Sequence, residues 1–362
     1  MLAGEYSVLH GGHALAATIK CGMTIKVDWH PHAAQWEIHS NLWSEPKFVM
    51  DDHTPQLDML CRAVQYAAKR TGMHGGTIQV KSDLDIRSGA GSSSALRLGI
   101  CGAFLAIKND VPPALDGSLP LDAIHGAWSL QSEGQGTASG YDIVTQFAGG
   151  LVEFGFETSD HKWRPSWFRH DLNGISDVVH VFVGGTGAPT SKTINSTSSW
   201  LEFGNRFDRL MEISETLVDA FNFAIKWPNV ESIKKLAVAC GSMRTLFVGS
   251  PHFPTHLSDK LESIPGLDKF WSWKTTGAGG EDAILLVGTR HSVRPALLAL
   301  LELGWHPLDY PFSKDSAKII AQSLESMSTG KDTNTPKSAI PREESKKIVG
   351  ATAQLTFAGV LK

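Results

Sequence analysis

Ser88-Gly89-Ala90-Gly91-Ser92-Ser93-Ser94-Ala95 is the stretch on which the fold turns. Its two glycines let the backbone bend tightly and come close to a ligand. The apolar positions that follow, Leu96, Ile100, Phe104, Leu105 and Ile107, have helical spacing, so a helix begins near Ser93 and ends before Pro112-Pro113. A helix entered from such a loop presents unpaired N–H groups and the positive end of its dipole to an anion. Ser92, Ser93 and Ser94 add hydroxyls suited to phosphate oxygens or a magnesium ion. The lysine of a GxxxxGK[ST] loop is absent, and so is a GxGxxG turn. Taken alone, the stretch reads equally as a phosphate cradle or as a turn closed by a serine N-cap.

Working outward, two further glycine clusters lie far away in sequence. One is Leu2-Ala3-Gly4-Glu5-Tyr6-Ser7-Val8-Leu9, and the other is Thr275-Thr276-Gly277-Ala278-Gly279-Gly280-Glu281-Asp282, which runs into the apolar strand Ala283–Val287. Between them stands Gly136-Thr137-Ala138-Ser139-Gly140-Tyr141-Asp142, followed by the apolar Ile143-Val144. A carboxylate leaving a Ser-Gly turn for an apolar segment is either a turn residue bonded to its own backbone or a positioned functional group.

Alternation predicts strands at Thr24–Trp29 and Thr77–Val80, and an unbroken apolar run predicts one at Val178–Val183. Helices are expected over Gln56–Arg70, Trp200–Ala224 and Val293–Leu303. The chain divides on this reading into residues 1–170, 171–325 and a flexible tail, 326–362, whose polar start carries Pro336 and Pro341.

Composition narrows the function. The 362 residues are 42% hydrophobic and 19% charged, with a formal net charge of -4, which argues against nucleic acid as the main partner. No run approaches the ~18 apolar residues of a membrane span. Four scattered cysteines, without a CxxC pair, read as reduced thiols of a cytoplasmic protein. His10 and His13 have no third ligand at metal spacing, and Trp163, Trp167, Trp271 and Trp273 read as packing anchors.

Together the clusters resemble, in order and spacing, the three motifs of the GHMP kinases. Gly89-Ala90-Gly91-Ser92-Ser93-Ser94-Ala95 is similar to the family's ATP loop, Ser139-Gly140-Tyr141-Asp142 to the segment bearing its catalytic aspartate, and Lys274-Thr275-Thr276-Gly277-Ala278-Gly279-Gly280 to its C-terminal glycine loop. The resemblance implies an α+β, two-lobed fold, with an N-terminal ATP-binding domain and a smaller C-terminal α/β domain. It implies transfer of the γ-phosphoryl of ATP, with Mg2+, to a small-molecule phosphate or alcohol acceptor, by a monomer or homodimer. Asp142 is then the group acting on the acceptor oxygen, and Gly89 to Ser94 bind the ATP phosphates. Ser93 and Glu133 are the candidate metal ligands, while Glu5, Tyr6, Ser139, Gly140, Lys274, Gly277, Gly279 and Gly280 face the substrate, with Lys274 the candidate for its negative charge.

Within the family, Leu2-Ala3-Gly4-Glu5-Tyr6, the aromatic before Asp142, and Gly279-Gly280-Glu281-Asp282 resemble phosphomevalonate kinases more than mevalonate kinases. The family's P-G-K lysine falls upstream of Met1: either the natural chain starts earlier or the lysine is lost, and Lys192, in Gly185-Thr186-Gly187-Ala188-Pro189-Thr190-Ser191-Lys192, is the candidate replacement. The family's magnesium glutamate aligns with Gln131, two residues short of Glu133. Loss of the lysine leaves open a reading of another class, a catalytically silent nucleotide-binding protein.

Overall fold

The computed structural model describes residues 1–41, 47–50, 59–83, 91–108, 119–136, 138–159, 162–184, 190–277, 283–308, 312–323 and 351–360. In chain order the first half holds β1 (Ala14–Trp29), β2 (Trp36–Ser40), β3 (Lys47–Met50), α1 (Met59–Thr71), β4 (Gly76–Ser82), α2 (Ser92–Lys108), α3 (Leu121–Gln135), α4 (Tyr141–Ala148), β5 (Leu151–Ser159) and β6 (Lys162–His170). The second half holds α5 (Ile175–Val178), β7 (Val179–Val183), α6 (Thr190–Leu201), α7 (Arg206–Lys226), α8 (Val230–Phe247), α9 (Thr255–Glu262), β8 (Trp271–Thr275) and β9 (Ala283–Gly288). It closes with α10 (Arg290–Glu302), β10 (His306–Pro307), β11 (Lys318–Ser323) and β12 (Ala351–Val360).

Two mixed layers result. The first sheet runs β11-β12-β1-β4-β2-β3, and β5 joins it through β1 and carries β6. The amphipathic α1 and the almost wholly apolar α2 cover it, with α2 against β1 and β12 and α3 packed on α2. The second sheet, β10-β7-β9-β8, is antiparallel throughout. Val179, Val181, Leu285 and Val287 face a core shared with α7 and α8, whereas Phe182, Ile284, Leu286, Trp271 and Trp273 face one shared with α9 and α10. A strand with helices on both faces must be apolar on both, hence the unbroken burial of β9.

β1 is the seam. Successive side chains of a strand point to opposite faces. Accordingly Ala14 enters the first lobe's core, while Leu15 and Ala17 enter the core of the second lobe together with Leu2, Ala3 and Tyr6. The N-terminal glycine segment is thus bound to the second lobe as well as to β1, with Thr276 Oγ1 donating to Met1 O at 2.6 Å.

Three expectations are corrected. Residues 351–360 are not flexible: β12 pairs with β1 on one side and β11 on the other, burying Ala353, Leu355 and Val360. Its alternating Ala353, Leu355 pattern found partners more than 300 positions away, which no local reading supplies. For the same reason β11, placed by sequence in the second domain, belongs to the first sheet. The helix expected over Trp200–Ala224 is two, α6 and α7, broken at Gly204, whose φ of 68° is left-handed.

Candidate active site

Asp142 lies in the first turn of α4 and is 2% exposed. A carboxylate there faces the positive end of the helix dipole. The turn that delivers it is fixed by two stacked indoles, Trp128 and Trp163, with ring centroids 5.0 Å apart. Their Nε1 atoms donate to Ala138 O at 2.9 Å and Ser139 O at 3.0 Å. Gly140, at φ 80°, passes so close that a Cβ would meet Trp163 at 2.6 Å. The tryptophan therefore packs, as expected, and in packing it aims the aspartate.

Several donors hold the carboxylate. Ser94 Oγ donates to Oδ2 at 2.5 Å, Gln131 Nε2 to Oδ2 at 3.2 Å and Oδ1 at 3.3 Å, and Ile143 N to Oδ1 at 3.0 Å. α4 also holds the glycine loop, since Gln146 Nε2 donates to Gly91 O at 2.9 Å. Gly91 has a left-handed φ of 75°, and a Cβ there would sit tightly, 3.0 Å from Gln146 and 3.3 Å from Val360 O of β12. Asp142 and the start of α2 are thereby joined into one unit, with the N-terminal amides of α2 beside the carboxylate. Gly89 and Ala90 lie outside the described residues. Ser92 and Ser93 open α2 half-buried, whereas the Ser94 hydroxyl, expected on phosphate, is directed at Asp142.

The metal candidates separate. Glu133 is exposed, while Gln131 faces Asp142. Positions i and i+2 of a helix lie about 200° apart around its axis, so no small shift of register brings Glu133 in. Among the described residues no group of three His, Cys, Asp or Glu side chains forms a metal cluster. Gln131 Oε1 is buried without a hydrogen-bond partner. That oxygen, with the Ser93 hydroxyl, suits a hard cation that takes its remaining ligands from phosphates and water.

Arg97 was not expected here. It sits one turn after Ser94 on α2, 7% exposed, with Nη1 lacking a hydrogen-bond partner. Burial lowers its guanidinium from the ordinary value, and the charge of Asp142 opposes that shift. One charge inside Leu96-Arg97-Leu98-Gly99-Ile100 was the available sequence signal.

Glu5 and Lys274, from the first and third glycine segments, are 4% and 1% exposed and paired with each other. Lys274 Nζ also donates to Thr275 O at 2.8 Å. The lysine expected to meet the substrate's charge is thus committed to an internal ion pair. Tyr6 adopts a left-handed φ of 59°, and burial pushes its phenol up to about 12. Burial raises the Tyr141 phenol, and the charges of Asp142 and then Glu5 raise it further. Ser139 and Gly140 belong to the turn before α4, and Gly277 ends the described part of the third loop with φ 67°. Gly279 and Gly280 lie outside the described residues, as do 185–189, and the Lys192 side chain on α6 is not described.

No family model matches the chain. Over 292 residues it is 24% identical to the mevalonate kinase of Archaeoglobus fulgidus, covering 78% of this chain and 88% of that protein. In structure it is similar to the phosphomevalonate kinase of Streptococcus pneumoniae solved with phosphomevalonate and AMPPNP, with a TM-score of 0.64, 17% identity, and coverage of 86% and 96% of the two chains. It is similar also to the mevalonate kinase of Methanococcus jannaschii, with a TM-score of 0.59, 17% identity, and coverage of 86% and 94%. The two-lobed fold expected from the motifs is the fold of these kinases.

Proposed function

We propose, from the premise that this chain has the GHMP kinase fold, that it transfers the γ-phosphoryl of ATP to the phosphate of 5-phosphomevalonate, releasing ADP and the diphosphate. The observation that carries this reading is the bonding of Asp142 to the first turn of α2 through Ser94. It puts a buried carboxylate next to helix N-terminal amides, which suit a polyphosphate. Asp142 orients the acceptor oxygen, or takes its proton where it carries one, while the amides of the loop and of α2 steady the transferring group. In phosphoryl transfer, positioning and electrostatics supply most of the acceleration. Mg2+ bound with ATP would neutralise phosphate charge, held by Ser93 and the unpartnered Gln131 Oε1.

The main rival is an alcohol acceptor, mevalonate itself, which the 24% identical relative favours. Loss of catalysis with retained nucleotide binding is the other. A coupled ADP-release assay offering 5-phosphomevalonate, mevalonate and a sugar phosphate separates them. Turnover with phosphomevalonate that is lost in Asp142→Ala supports the proposal, and turnover with mevalonate alone corrects the acceptor. A folded, ATP-binding protein inactive on all three supports the silent reading.

A further inference from the structure

Three cations are buried among the described residues: Arg97, Arg244 and Lys274. Two of them are held in close ion pairs, Arg244 with Asp268 at 2.6 Å and Lys274 with Glu5. Arg97 takes part in no ion pair among the described residues, and its Nη1 is buried without a hydrogen-bond partner. Every residue of α2 from Ser94 to Phe104 is buried, and Arg97 carries the only charge in that stretch. A leucine or methionine would fill the same space without the cost of burying a charge. A guanidinium kept there without close contacts calls for a counter-charge that acts through space.

The packing of α2 on α3 supplies one. Residues three apart on a helix are neighbours on its surface. Arg97 stands one turn after Ser94, whose hydroxyl donates to Asp142. A Cβ at Gly134 of α3 would lie 3.7 Å from Arg97 Nη2, and Gly134 stands one turn after Gln131, which also donates to Asp142. Arg97 is therefore one turn behind both of the side chains that hold the carboxylate. Glu133, beside Gly134, is exposed and screened by solvent. Asp142 and the Cys101 thiol are the groups whose charges favour the guanidinium. Burial pushes that thiol up to about 12, so it is neutral near neutral pH and the aspartate is left as the counter-charge. Opposite charges in a low-dielectric interior attract strongly without touching. An unbalanced aspartate would repel the polyphosphate that suits the amides of α2, and a cation one turn behind it offsets that repulsion while leaving the carboxylate oxygens to their donors and the acceptor.

We infer that Arg97 is the fixed counter-charge of Asp142, a positioning residue that acts through the carboxylate and touches neither the acceptor nor the nucleotide. The inference rests on the kinase reading above and adds to it the residue that balances the charge of the reacting carboxylate.

The test is a double-variant cycle between Arg97→Met and Asp142→Asn on the full chain. With the best acceptor, Arg97→Met should lower kcat by about 10–100-fold, with KM for ATP and for the acceptor changed by less than about 3-fold. Arg97→Lys keeps the charge and should recover most of the loss. In the Asp142→Asn protein, Arg97→Met should cost no more than about 3-fold, because the charge it balances is gone. Losses that multiply, a loss carried by KM, or a lysine no better than methionine overturns this inference and leaves the kinase reading standing. Urea unfolding runs the same cycle without catalysis. Arg97→Met should raise the unfolding constant about 10-fold or more beyond what it does in the Asp142→Asn protein. Equal effects in the two backgrounds overturn the inference whatever the turnover, and coupling in a protein inactive on every acceptor supports the counter-charge while overturning the kinase reading. Should Arg97→Met fail to fold, folding restored by adding Asp142→Asn supports the inference, and failure of both overturns it.

Discussion

Asp142 and Glu5 are both buried carboxylates, yet they are held in different ways. The described donors to Asp142 include a serine hydroxyl, an amide and a backbone N–H, and the buried Arg97 guanidinium lies in its field. Glu5 is held by a buried ammonium on one oxygen and by nothing on the other. Several hydrogen bonds fix the orientation of a carboxylate, which suits a group that must meet a reacting oxygen, whereas a close ion pair cancels its charge. The aspartate also stands on a rigid frame of α4, two indoles and the start of α2, whereas Glu5 hangs on the seam between lobes.

The largest test of this contrast is kinetic. Asp142→Asn should lower kcat by about 10^3-fold with KM for the acceptor little changed. A loss confined to KM would mean that Asp142 binds the acceptor without acting on its reacting oxygen. Next comes stability. Lys274→Met alone strands the Glu5 charge and should cost ~3–5 kcal/mol in urea unfolding, whereas Gln131→Met beside Asp142 should cost ~1–3 kcal/mol. Equal losses would mean that the two carboxylates are held alike.

Leu355→Ala on β12 should cost ~2–5 kcal/mol and soften the Asp142 side, because β12 backs both α2 and Gly91. Hydrogen exchange should then rise in α2 and α4 before α7 and α8, and uniform loosening would count against the contrast.

The smallest effect concerns thiols, one in each lobe. Burial pushes both Cys101 and Cys240 up to about 12. At pH 8 about one thiol in 10^4 is then ionised, so alkylation of the folded protein should be slow at both sites. Such groups keep their protons when folded and lose them when unfolded above about pH 9. Their stabilising contribution is therefore full below pH 9 and declines as pH rises toward 12. An unfolding midpoint flat from pH 9 to 11 would contradict this for both lobes.

Much of the site was legible because its signals are local. A glycine-serine loop before an apolar helix announces helix N-terminal amides, and Ser139-Gly140-Tyr141-Asp142 announces a turn into a helix. That Gln131 and not Glu133 faces Asp142 follows from helical phase, which the motif spacing alone did not fix. The pairing of Lys274 with Glu5 was not legible, because the two lie 269 positions apart.

Local sequence specified the three loops, their order, the helix that follows the second, and Asp142 as the carboxylate to watch. These depend on backbone freedom and short-range periodicity, which a few neighbouring residues specify. The tertiary structure alone decided that β12 completes the first sheet, that Gln131 faces Asp142, and that Lys274 is spent on Glu5. Each of those is a pairing across long sequence separation, set by which buried charges, donors and strand edges the packing of the whole chain brings together.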